Sequence, residues 1–169
     1  MLKDNLIMEK NFHKLNNKWS LWAHLPHDTD WTMASYKIIY TFDSVEEAIA
    51  LTETIPEKMV QNCMMFLMRD GIKPLWEDPQ NKEGGSFSYK VMNKNVADIW
   101  KNMFYSIIGE SITDDKKIYL NGLTISPKKN FCIIKIWTKT RDVQDPSIFN
   151  IKDINSIPCL FKPHCLNLN

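Results

Sequence analysis

Residues 95–109 place Val96, Ile99, Trp100, Met103, Phe104, Ile107 and Ile108 at steps of three and four, the period of a helix with one apolar face. Such a helix must bury that face against a second layer, so the segment constrains everything around it. Residues 18–25, 36–42, 62–68, 86–92, 118–126, 131–138 and 158–162 read as strands, being apolar runs or alternating segments rich in β-branched and aromatic residues. Ser44-Val-Glu-Glu47 is a capping box that opens a second helix to about Thr54. In that helix Ala48, Leu51 and Ile55 share the core face, Val45 and Ile49 lie at its margin, and Pro56 ends it. Asp145-Pro146 predicts a short third helix to about Asn155. Gly84-Gly85 and Pro127-Lys-Lys-Asn130 are turn signals between strands. The expected fold class is α+β: a curved antiparallel sheet backed on one face by helices.

At 169 residues the chain is long enough for one domain with a proper core, expected over residues 13–169 with 1–12 as a loose arm. Its formal net charge of +1 excludes a global basic field, so any nucleic-acid contact is local and small. Cys63, Cys132, Cys159 and Cys165 have neither metal-ligand spacing nor a disulfide framework, and no secretory signal precedes them. They read as reduced thiols of a cytoplasmic protein. No apolar run approaches the roughly 20 residues of a membrane span, so no membrane partner is expected. Gly-x-Ser-x-Gly, the phosphate-binding glycine loop and His-Glu-x-x-His are all absent, which favours binding over catalysis and calls for neither metal nor cofactor.

The six tryptophans are the loud compositional signal. Trp31 ends a loop, residues 26–30, and Trp76 lies in the stretch Arg-Asp-Gly-Ile-Lys-Pro-Leu-Trp-Glu-Asp over residues 69–78. Asp70-Gly71 is a turn signal and Pro74 fixes φ, so Trp76, Glu77 and Asp78 sit on a constrained loop. An indole beside a carboxylate suits a flat cation with hydrogen-bond donors along one edge, and a 7-methylated guanine is such a ligand. Two indoles would sandwich the charged base, the carboxylate would accept from its Watson–Crick edge, and Lys128-Lys129 would hold phosphates. From this stretch alone the plainer alternative stays open, with Trp76 plugging the core and Glu77 facing solvent. Tyr105 lies off the helix stripe beside Lys101, which fits either an ordinary surface residue or a contact patch.

Several motifs carry a family resemblance: Trp19-Ser-Leu-Trp22, Trp31, Phe42-Asp-Ser-Val-Glu46, Asp70-Gly-Ile-Lys-Pro-Leu-Trp-Glu-Asp78, Asn81-Lys-Glu-Gly-Gly85, Ile108-Gly-Glu110 and Ile136-Trp137. In this order and spacing, over about residues 15–137, the chain resembles the eukaryotic translation initiation factor 4E family, which binds the 5′ cap of messenger RNA. The resemblance implies a cupped sheet with helices on its convex back and the cap in a concave slot. It implies Trp31 and Trp76 as the stacking pair, Glu77 as the guanine acceptor and Trp137 beside the N7 methyl. Trp137 reads equally as a core strand residue. Lys128 falls where the family has a phosphate-binding arginine.

The departures are as informative. A second phosphate-binding lysine of the family aligns with Ile133, leaving Lys135 or Lys129 as substitutes, and an arginine after the double glycine is Ser86 here. On the convex surface, where the family seats the Tyr-x-x-x-x-Leu helix of scaffolds and repressors, the corresponding residues are His13, Val45, Ile49, Tyr105 and Gly109. Ile49 stands in place of the family's tryptophan. The resemblance therefore implies a monomer that binds capped mRNA and a scaffold or repressor with an amphipathic helix. Two roles follow, initiating translation or competing for caps without recruiting the usual scaffold. A cap-processing hydrolase is a third class, unsupported by any acidic cluster of the expected spacing.

Overall fold

The computed structural model describes residues 11–165. Most of the arm expected over residues 1–12 lies outside them. Seven strands form one antiparallel sheet: β1 (Lys14–His24), β2 (Tyr36–Ser44), β3 (Met64–Arg69), β4 (Gly85–Met92), β5 (Leu120–Pro127), β6 (Phe131–Thr138) and β7 (Cys159–Pro163). Their spatial order is β2-β1-β3-β5-β6-β4-β7. Three helices, α1 (Val45–Thr54), α2 (Glu57–Asn62) and α3 (Asn93–Ile108), pack on the convex side, which makes the fold the expected α+β class. Among the described residues no helix is long and apolar enough to cross a membrane.

Strand alternation assigns the two faces. On β6 Cys132, Ile134 and Ile136 point into the main core beneath α3, while Lys135 and Trp137 take the opposite face. On β3 Met65 and Leu67 join the main core, and Phe66 and Met68 join a smaller concave cluster with Tyr36, Ile72 and Trp137. Every residue of the α3 stripe is buried, and α1 buries Ala48 and Leu51 with Ile55 packed beside them. The Ser44 hydroxyl accepts from the Glu47 amide at the α1 N-terminus, as a capping box requires.

Two expectations are corrected. The strand expected from residue 62 starts at Met64, because Glu57–Asn62 form a short helix; only Val60 of it is buried, too little for a periodic signal. The helix expected over 145–155 is a single 3-10 turn, Pro146–Ile148, although Asp145 does cap it at the Ser147 amide. Phe149, Ile151 and Ile154 beyond it are buried at spacings that follow no single helical face, and Asp153 at φ 65° interrupts the path. Gly84 and Gly85 are needed for closeness rather than for a left-handed turn. A Cβ on Gly84 would lie 1.8 Å from the Thr138 carbonyl oxygen, and one on Gly85 2.6 Å from that of Lys162.

A candidate cap-binding slot

The Trp76 loop is held from below. Gly71 takes φ +83°, the conformation anticipated for Asp70-Gly71, and lets the chain reverse after β3. Asp78 is buried, and its two oxygens accept from the Lys73 amide at 3.0 Å and the Gln80 amide at 2.8 Å. Asn81, fully buried, donates to the Lys73 and Leu75 carbonyls and accepts from the Asn121 amide group at 2.9 Å. Buried hydrogen bonds of this kind, made to three backbone positions of the loop, fix one backbone path. With the loop fixed, Trp76 is left 50% exposed and Glu77 exposed beside it. Trp76 is therefore no core plug.

Trp31 is 54% exposed and comes from the β1–β2 connection. Trp31, Trp76, Glu77 and Trp137 together line a slot of about 280 Å³ on the concave face, with Tyr36, Phe66, Pro74, Thr124, Ser126 and Lys135 completing it. Trp137 is buried in the slot wall, and its indole N–H donates to the Thr124 hydroxyl at 3.2 Å, so its orientation is set by the neighbouring strand. Three of the six tryptophans thus converge on one slot from three separate chain segments. Trp19 and Trp100 belong to the main core and Trp22 packs on the concave cluster. The Tyr36 hydroxyl is pushed above its ordinary pKa, first by burial and then by the negative field of Glu77.

Lysines border the slot on one side. In register across the sheet, Trp137 pairs with Ser86 and Ser86 with Lys162, while one step on Lys135 pairs with Ser88. Lys135 is held below its ordinary pKa, chiefly by burial and then by the positive fields of Lys162 and Lys128. None of Lys128, Lys135 and Lys162 forms an ion pair among the described residues. Lys128 and Lys129 are exposed on the β5–β6 turn.

Sequence reasoning missed Tyr36, Lys162 and His164. Tyr36 reads as an ordinary strand residue, and Lys162 and His164 gain meaning only once β7 is known to pair with β4. His164 lies tilted against Trp137 with ring centroids 4.6 Å apart and hydrogen-bonds the Asn81 carbonyl at 2.8 Å. Burial first holds its pKa below the ordinary value; the Asn81 carbonyl acts upward, and Lys135 adds to the lowering.

A larger hollow of about 460 Å³ lies at the other ends of β3 and β5, lined by Arg69, Glu110, Tyr119 and Leu120 among others. There the Arg69 guanidinium is sandwiched between Trp19 and Tyr119 at 4.6 and 4.7 Å and donates to Glu110 and the Leu120 carbonyl. Those are internal contacts of the fold. Convergent exposed aromatics with a few polar groups make the smaller slot the candidate ligand site.

The convex residues are separated by the structure. Val45 and Ile49 stand 38% and 46% exposed on α1, and His13 is exposed and bonded to Glu46. Tyr105 is half-buried, packs against the main core and has its hydroxyl bonded to that of Thr52, so it is not a free surface residue. Gly109 is the C-cap of α3.

The family model described as Eukaryotic initiation factor 4E matches residues 14–160. Relatives include Eukaryotic translation initiation factor 4E of Eremothecium gossypii, 34% identical over 134 residues, and that of Saccharomyces cerevisiae, 30% identical over 137. The matches cover 76% and 77% of this chain and span 63% of each of those relatives. A similar fold occurs in the complex of Ascaris suum eIF4E-3 with m7G cap, at 26% identity and TM-score 0.67, covering 78% of this chain and 76% of that one. Another is C. elegans eIF4E-3 with the 4E-binding protein Mextli and cap analog, at 25% identity and TM-score 0.73, covering 90% and 93%. The chain belongs to the eukaryotic initiation factor 4E family.

Proposed function

We propose that this protein binds the 7-methylguanosine cap of messenger RNA in the concave slot and serves translation initiation in the cytoplasm. The observation that carries the reading is the convergence of two half-exposed indoles, Trp31 and Trp76, and the exposed Glu77 in the lining of one slot of about 280 Å³. Methylation at N7 makes the purine cationic, so stacking and cation–π attraction act on the same base. Glu77 accepts from the guanine edge, Trp137 meets the methyl side, and adenine is rejected because it leaves that carboxylate without its donors.

The lysines beside the slot serve the phosphates. Lys135, with its cationic form disfavoured by burial and by Lys162 and Lys128, gains most when an anion arrives. Lys128 and Lys129 on the turn add point charges. Ser86 and Ser88 lie between the β6 and β7 lysines and offer hydroxyls. The reading is one of binding, in which no bond is made or broken.

On the convex face a scaffold or repressor helix docks over Val45 and Ile49, with His13, Tyr105 and Gly109 around them, on a monomeric protein. Relatedness supports this: one structural neighbour is a complex with a 4E-binding protein. A second reading, a cap competitor that leaves the usual scaffold unrecruited, is favoured by the isoleucine at position 49, which offers no indole N–H.

Tryptophan fluorescence titrated with 7-methyl-GTP and with GTP tests the proposal. Strong quenching by the methylated nucleotide alone is expected, and it should vanish in Trp76→Ala and Glu77→Ala. Equal responses to both nucleotides would overturn the cation–π assignment.

A further inference from the structure

His24 closes β1 and is 1% exposed. Its ring lies flat against the Trp31 indole, with centroids 4.1 Å apart and an interplanar angle of 6°. It does not line the slot, although Trp31 does, so the imidazole covers the back face of the indole and leaves the other face to a ligand. The edge of the ring meets Tyr36, another slot residue, at 5.1 Å. Both ring nitrogens approach backbone carbonyls of the Trp31 loop: Nε2 lies 2.7 Å from the Asp30 oxygen and Nδ1 3.1 Å from the Leu25 oxygen.

We infer that His24 is the positioning residue of the slot, a plate behind Trp31 and a peg that ties the tryptophan's loop to the end of β1. The inference rests on the cap-binding reading for its consequence, but its geometry stands in the ligand-free protein. The loop has few other anchors to the sheet. Asp28 and Asp30 bond to amides within the loop itself, and the Ser35 hydroxyl holds the Thr32 carbonyl. Asp30 spends its carboxylate on the Thr32 amide and hydroxyl, which hold its pKa low, and its carbonyl is the one that His24 takes. An indole with half its surface in solvent would otherwise sample several rotamers, and a ligand would have to order it on binding.

A ring that meets two carbonyls does two things here. It stacks, as phenylalanine would, and it can donate to the loop backbone, as phenylalanine cannot.

The test has one arm without ligand and one with it. In the ligand-free protein, the Trp31 emission is taken as the difference between each protein and the same protein carrying Trp31→Phe, at one neutral pH. His24→Ala bares the back face of the indole, so its emission should move to longer wavelength, and His24→Phe, which keeps a ring there, should reverse most of that shift. In the second arm 7-methyl-GTP affinity is measured. His24→Ala should weaken it about tenfold, because the loop must then be ordered by the ligand, and His24→Phe, which keeps the plate, should recover part of that loss. Circular dichroism melts of both variants confirm that the sheet is intact. A Trp31 emission that stays at its wild-type wavelength in His24→Ala overturns the inference, as does wild-type affinity in His24→Ala. If the wild type ignores 7-methyl-GTP, the cap reading fails, and the emission arm still decides the His24–Trp31 coupling.

Discussion

Trp76 stands half exposed over the slot, while Asp78, two residues later, is buried and holds the amides of Lys73 and Gln80. The two lie on one loop and do opposite work. Glu77 between them is exposed and accepts no hydrogen bond from the described residues, so adjacent carboxylates divide into a brace and a free acceptor.

Asp78→Ala should therefore destabilise the protein, by about 1–3 kcal/mol for the buried amides it leaves unpaired. Glu77→Ala should leave the urea midpoint unchanged while abolishing the response to 7-methyl-GTP. Paired denaturation and binding curves for the two variants check this, and a stability loss in Glu77→Ala would reassign it to the brace.

The two stacking walls differ in how they are supported, and their substitutions should not be identical. Trp76 rides on a braced loop and Trp31 on one pegged largely through His24. Either change to alanine forfeits stacking worth about 1–3 kcal/mol and a charge contribution on the order of 0.5–2 kcal/mol. Calorimetry with 7-methyl-GTP should show both losses, with GTP losing only the stacking part because the unmethylated base carries no charge.

The phosphate side gives a third expectation. Lys135→Ala and Lys162→Ala should weaken 7-methyl-GTP more than 7-methyl-GMP and should lower the salt slope of binding by about one each. If both variants lose affinity equally for the mono- and triphosphate, the lysines act on the base site and not on the phosphates.

Much of this site can be read from sequence because its aromatic members sit in turn-rich segments. Trp31 and Trp76 follow loop signals instead of an apolar period, and an aromatic without a core pattern points outward. The capping box at Ser44 and the α3 stripe are likewise local patterns that fix local structure. Lys162, His164 and Tyr36 escape because their meaning lies in pairing across the sheet: Lys162 reaches the slot's border only through Ser86, whose strand lies 76 positions away in sequence. His24 escapes for another reason. A histidine at a strand end reads as a surface residue, and only the fold shows it buried against Trp31. Tyr105 shows the converse, an off-stripe aromatic that the neighbouring helix covers through Thr52.

Acid should loosen the N-terminus of α1. Glu47 accepts from the Ser44 hydroxyl at 2.7 Å and the Asp43 amide at 3.2 Å, and these bonds hold its pKa below the ordinary 4.5. A carboxyl with a lowered folded pKa contributes stability that is fully present above 4.5 and is lost as pH falls through the lowered value. Glu47→Gln should flatten that part of the acid limb in urea midpoints, and Ser44→Ala should cost about 1 kcal/mol at neutral pH. An acid limb unchanged in Glu47→Gln would place the proton uptake elsewhere, with Glu110, whose pKa is also lowered, as the next group to test.

The convex face separates initiator from competitor. Val45 and Ile49 present apolar surface on α1, but an isoleucine offers less contact area than an indole and no N–H donor. A Tyr-x-x-x-x-Leu peptide should therefore bind the wild type weakly, and Ile49→Trp should tighten it by at least about tenfold, as expected when a large aromatic anchor enters an interface centre. Cap affinity should be the same in both proteins, because α1 packs on the face opposite the slot. Wild-type binding as tight as that of Ile49→Trp would show that isoleucine suffices as an anchor and would return the protein to the initiator role. A tightened peptide with unchanged cap binding would show that the partner face alone has drifted.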